Sequence, residues 1–147
     1  MLLQKESNPG LNTVTAYGTG YVSINDQAYH RPIHFSPEGA VQEWPIDDIS
    51  QLTLAALQEI AGVVDAPADP LAFLDGTPAQ ATSGIEIVLI GTGSRQSLLP
   101  ASIVAPLLRL GIGVEAMSTQ AAARTYNILM SEGRQVVAAL IPPQDKE

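Results

Sequence analysis

The chain has 147 residues, 46% of them apolar and 15% charged, with a formal net charge of -8. That length and balance suit one folded domain with its own hydrophobic core and exclude a fibrous or disordered chain. The negative charge argues against non-specific nucleic-acid binding, which draws on lysine and arginine displacing counterions, and the absence of cysteine removes disulfides, thiolate metal sites and a cysteine nucleophile.

The opening MLLQKESNPG lacks a basic segment followed by a long apolar run, so it does not read as a secretory signal. No uncharged apolar stretch reaches the roughly 18 residues that span a bilayer. A cytoplasmic protein without a membrane span is the expectation. Next come VTAYGTGYVSIND and QAYHRPIHF, where apolar residues recur at every second position around Gly18, Gly20 and the Asn25-Asp26 pair. These are hairpin signals. A short strand is expected over 41–44, and the period then lengthens to about 3.6 over 49–61, a helix carrying Leu52, Leu54, Leu57 and Ile60. Residues 62–84, rich in alanine, proline, aspartate and glycine, read as a surface excursion of a single domain spanning 1–147, with one helical turn near 71–74.

IEIVLIGTG at 85–93 has the continuous apolar, β-branched character of a strand buried on both faces, and is expected at the centre of the sheet. Pro100 suits the first turn of a helix running to Leu110 and ending at Gly111. A second short buried strand follows over 114–117. Ser118 or Thr119 can cap a helix that stops at Gly133, and QVVAALI supplies a last strand before a polar tail over 142–147. The class is α/β: hairpins first, then alternating helices and strands.

If the strands at 85–90 and 113–117 are parallel, a right-handed crossover brings their carboxyl ends to one sheet edge, where ligands of such sheets bind. That edge would gather Gly91, Thr92, Gly93, Glu115, Met117 and Thr119. GTGSRQ begins like a dinucleotide fingerprint but has Gln96 where the third glycine belongs, and tight-turn glycines explain it as well. His30 and His34 would lie about 13 Å apart on one extended strand at roughly 3.3 Å per residue, too far to share a metal ion unless the strand breaks at Pro32. No metal and no cofactor are expected, and no serine sits in a nucleophile turn. Glu115, inside an apolar strand, calls for a partner. It is either one half of a structural ion pair with Arg124 or, with Arg124 and Asn127, the polar lining of a cleft. Tyr126, Ile128 and Leu129 read as core residues, and Trp44 as a core or interface aromatic. Charge is uneven: residues 38–75 hold eight acids and no lysine or arginine, whereas 95–141 hold four arginines against Glu115 and Glu132. The acidic stretch is either a solvated face or a patch that steers a basic partner.

YGTGYVSIN, the GTG at 91–93 and VEAMSTQAAARTYNILMSEGRQVVAALI at 114–141 together resemble a small uncharacterised bacterial and archaeal family that includes a mitochondrial NADH:ubiquinone oxidoreductase (complex I) assembly factor. The resemblance covers nearly the whole chain. It implies a three-layer domain around a mixed sheet and a non-enzymatic role as a binding or assembly protein with a protein partner. The alternative from the residues is a small anionic ligand, or an enzyme's substrate, held at the glycine-loop edge by Gly91, Gly93, Glu115, Thr119 and Arg124.

Overall fold

The computed structural model describes residues 10–65, 80–81 and 84–144. Val14–Gly18 (β1), Tyr21–Ile24 (β2) and Gln27–Tyr29 (β3) form an antiparallel sheet in the order β1-β2-β3. Asn25 and Asp26 both take positive φ, 52° and 69°, the turn whose twist matches that of a two-residue hairpin. Pro32 then interrupts the extended run. His30 stays beside the first sheet, its Nδ1 3.3 Å from the Gly20 carbonyl, while His34 lies in Ile33–Phe35 (β4) of a second sheet. The single strand expected to carry both histidines is therefore two strands.

Gln42–Glu43 (β5) follows. The helix expected over 49–61 is broken into a 3-10 turn, Ile49–Gln51, and Leu54–Ile60 (α1). Leu52 is extended, and the Thr53 hydroxyl caps α1 by accepting the Ala56 N–H at 3.1 Å. Such a side chain satisfies one of the amides a helix start leaves bare. Val64–Asp65 (β6) pairs with Gln80–Ala81 (β7) and closes the base of the excursion. The helical turn expected at 71–74 lies outside the described residues.

Ile87–Gly91 (β8), Ala101–Arg109 (α2), Gly113–Met117 (β9), Thr119–Ser131 (α3) and Val136–Leu140 (β10) complete the chain. The main sheet runs β5-β4-β10-β8-β9, parallel across β10, β8 and β9 and antiparallel at β4 and β5. The middle strand is thus β10, not β8 as expected. All five β10 residues are buried, and they alternate between two cores. Val136, Ala138 and Leu140 join Leu89, the α3 residues Ala122, Ala123, Tyr126 and Met130, and Val14, Val22 and Ile24 of the hairpin sheet. Val137 and Ala139 join Val88, Ile90, Trp44, Leu57 and Leu107 beneath α1 and α2. This is a three-layer domain. Helix α3 packs on the face toward the hairpin sheet, and α1 and α2 pack on the other.

Other expectations fail for identifiable reasons. β9 is an edge strand and only half-buried. Ile128 faces outward and is 58% exposed, because the buried stripe of α3 runs through Ala122, Ala123, Tyr126, Asn127 and Met130. Trp44, by contrast, meets the expectation of a core or interface aromatic: it is core, 2% exposed. The tail begins packed rather than free: Pro142 and Pro143 are buried, and the Pro143 carbonyl accepts the Gly20 N–H at 2.6 Å. Among the described residues no helix is long and apolar enough to cross a membrane.

Candidate functional site

Three parallel strands deliver their carboxyl ends to one edge at Gly91, Met117 and Leu140, and α3 starts there. Gly91 is needed for close approach. A Cβ on it would lie 2.8 Å from Leu140 Cδ2 and 2.9 Å from Thr119 Oγ1, inside van der Waals contact. The polar atoms around it are joined to one another. Thr119 is fully buried; its hydroxyl donates to the Ile141 carbonyl (2.6 Å) and accepts the Gly93 N–H (2.9 Å), while its own N–H donates to the Gly93 carbonyl (2.8 Å). Thr92 donates its N–H to the Met117 carbonyl (2.9 Å); its hydroxyl donates to the Arg95 carbonyl (2.6 Å) and accepts the Ser97 N–H (3.1 Å). The Ser118 hydroxyl caps α3 by accepting the Ala121 N–H at 3.3 Å.

Of the eight residues nominated from the sequence, Gly91, Thr92, Gly93, Met117 and Thr119 meet at this edge. The other three do not. Glu115 sits midway along β9, exposed to solvent, so its carboxylate is not desolvated and needs no buried partner. Arg124 turns to the hairpin sheet, its Nη2 donating to the Tyr17 hydroxyl at 3.0 Å. Asn127 is 7% exposed, and its amide pairs with Val14 in both senses: Oδ1 accepts the Val14 N–H (3.0 Å) and Nδ2 donates to the Val14 carbonyl (2.8 Å). It bonds β1 as a neighbouring strand would.

Beside the glycine loop lies a cleft of about 270 Å³ lined by Asp47, Asp48, Ile49, Thr92, Arg95, Ser97, Ile141 and Gln144. Its acidic wall, Asp47 and Asp48, belongs to the acidic stretch over 38–75 and was not among the residues nominated for the site. The signal was there in Asp48-Ile49-Ser50-Gln51, a capping pattern: Asp48 Oδ1 accepts the Ser50 N–H (3.0 Å) and Gln51 Oε1 accepts the Asp47 N–H (2.6 Å). Asp47 also meets Arg31 at 3.2 Å, with both side chains exposed. The cleft therefore offers carboxylates on one wall and a guanidinium and hydroxyls on the other. Among the described residues no group of three or more histidine, aspartate and glutamate side chains is placed to hold a metal ion.

Three groups with shifted titration lie outside this edge, and burial raises one of them, the Tyr126 phenol, above its ordinary value. Burial holds the His34 imidazole below its ordinary value, opposed by the charge of Glu59. Glu86 is held below the usual carboxylate range, chiefly by accepting the Gln135 N–H and further by Arg134, its ion-pair partner at 3.1 Å.

A family model described as "Protein of unknown function (DUF498/DUF598)" matches residues 14–141. An uncharacterised protein of Rhodobacter capsulatus is 33% identical over 90% of this chain and 86% of its own length. The zebrafish protein named NADH dehydrogenase (ubiquinone) 1 alpha subcomplex assembly factor 3 is 30% identical over 97% of this chain and 70% of its own, and a Francisella tularensis relative, 28% identical over 96% of this chain and 99% of its own, is named a 13 kDa major membrane protein. The solution structure of a Bordetella pertussis protein, described as a Mth938-like domain, is similar with 50% identity and a TM-score of 0.75, over 99% of this chain and 94% of that one.

Proposed function

The chain belongs to the DUF498/DUF598 family of proteins of unknown function, and from that premise we propose that it is a non-enzymatic binding module that assists the assembly of a multisubunit complex. The observation that carries this is the likeness to the zebrafish assembly factor along 97% of the chain. The chemistry of the edge is in keeping with it. At the glycine loop, where an α/β enzyme would offer donors to a substrate, the Thr92, Gly93 and Thr119 groups bond to each other and to neighbouring backbone. We place its work in the cytoplasm, on protein rather than nucleic acid, in line with the negative charge.

A second function has one observation in its favour. The cleft beside Thr92 is lined by Arg95 and Ser97, residue types suited to a small anionic ligand, although Asp47 and Asp48 on its other wall oppose a purely anionic one. One experiment separates the two. The tagged protein is recovered gently from its own host, with bound proteins identified by mass spectrometry and bound small molecules by native mass spectrometry, alongside fractionation of the lysate. Subunits of one complex, recovered in its partly built form and missing from its finished form, are the expected result. A bound small molecule with no subunits would overturn the assembly function in favour of the cleft, and sedimentation with membranes would overturn the cytoplasmic placement.

A further inference from the structure

The two margins of the main sheet differ. β5 is two residues long, whereas β9 is a full strand, Gly113–Met117, with nothing paired beyond it among the described residues. The Gly113 N–H reaches the Glu86 carbonyl and the Met117 carbonyl receives the Thr92 N–H, both at 2.9 Å. Backbone groups of a paired strand alternate sides, so Gly113, Glu115 and Met117 bond toward β8, and Val114 and Ala116 turn their N–H and C=O groups outward. Of these four outward groups only the Ala116 carbonyl has a partner among the described residues, the side-chain amide of Gln96 at 2.8 Å. A bare row of this kind is a template for another strand. Val114 and Ala116 rest half-buried against the α1/α2 core. Helices α2 and α3, which both pack on β9, carry the outward apolar side chains Leu108 and Ile128, 55% and 58% exposed.

Charge selects the occupant. A second copy adding antiparallel through Val114 and Ala116 would set Glu115 directly opposite its own counterpart, with Cα atoms about 4.5 Å apart, and like charges so placed repel. A strand with lysine or arginine at that position turns the repulsion into attraction. We propose that β9 accepts an extended segment of a protein partner as a sixth strand, with a basic residue opposite Glu115 and apolar residues on either side of it, over Val114 and Ala116. This rests on the assembly function and names its docking edge. Gln96 guards that edge and swings off the Ala116 carbonyl when the strand arrives.

The test titrates the full chain with two nine-residue synthetic peptides of alternating valine and threonine, one with a central lysine and one with a central glutamate, read by amide chemical shifts and hydrogen exchange. The lysine peptide should bind about two- to thirty-fold more tightly, the difference between one attractive and one repulsive cross-strand charge pair, and should slow exchange at the Val114 and Ala116 amides. Glu115→Lys should reverse the order of the peptides, and Gln96→Ala should tighten both. Ala116→Pro removes an outward N–H where an edge strand tolerates proline, and should abolish binding; if it fails to fold, the Glu115→Lys reversal decides. Equal binding of the two peptides, no protection at Val114 and Ala116, or a dimer that dissociates on Ala116→Pro would each overturn the proposal. Complex subunits recovered equally by the wild type and a folded Ala116→Pro variant would sink the docking edge and leave the assembly function standing. Recovery of no subunits by the wild type, with the peptide preference intact, would do the reverse.

Discussion

Thr119 shows how one hydroxyl can hold three strand ends. Thr119→Val keeps the shape but strands the Gly93 N–H and the Ile141 carbonyl, both buried. At about 1–3 kcal/mol for each unpaired group, the loss should be about 2–6 kcal/mol by urea denaturation, whereas Thr119→Ser, which keeps the hydroxyl and loses a methyl, should cost about 1 kcal/mol. His34 supplies a pH dependence. Its folded value is lowered by burial, so in the histidine range the unfolded chain binds more protons than the folded one. Stability is therefore full above the ordinary histidine value and falls as pH drops from there toward the folded value. Thermal melts should show this slope in the wild type and a flatter one in His34→Gln; an unchanged slope in the variant would refute the assignment. The sequence singled out Thr119 because it lies where a helix follows a parallel strand, but the direction of its bonds, inward to backbone, was not legible. Glu115 was misjudged for a related reason: five apolar neighbours look the same in a central strand and at an edge.

At the scale of elements, the hairpin sheet is joined to α3 through polar as well as apolar contacts. Asn127 bonds both backbone groups of Val14, the Tyr126 hydroxyl donates to the Asn12 carbonyl at 2.7 Å, and Arg124 reaches Tyr17. Asn127→Leu preserves volume and leaves two buried backbone groups unpaired, so it should cost about 2–4 kcal/mol. The loss should be local first: hydrogen exchange should quicken across β1 while β8 and β10 keep their protection, and uniform loss across all strands would refute the docking role. Most elements were legible because their signals are local. The Asn25-Asp26 turn announces β2 and β3, and the change from alternating to 3.6-residue spacing announces α1. Pairing order is not local. Val136–Leu140 and Ile87–Gly91 are equally apolar runs, and nothing in either says which of them stands in the middle of the sheet. Asn127 was read as polar lining for the same reason, since its partner Val14 is 113 residues away.

For the whole molecule, charge governs behaviour in solution. With a net charge of -8 at neutral pH and an isoelectric point near 4.5, copies repel one another in neutral buffer and lose that repulsion on acidification. Light scattering across a pH series should show the protein dispersed at pH 7 and associating near pH 4.5, with added salt narrowing the difference; scattering independent of pH would show that charge does not keep the copies apart. The order of the main sheet has a consequence for how the chain is made. Its middle strand is the last to be synthesised. While the ribosome is still adding residues 136–140, β4 and β8 are already outside with no strand between them, and the apolar faces that β10 will cover on both sides stand open to water. The hairpins can close as they emerge, but the main sheet cannot, so truncation shortly before Val136 leaves two unpaired, aggregation-prone strand margins, those of β4 and β8.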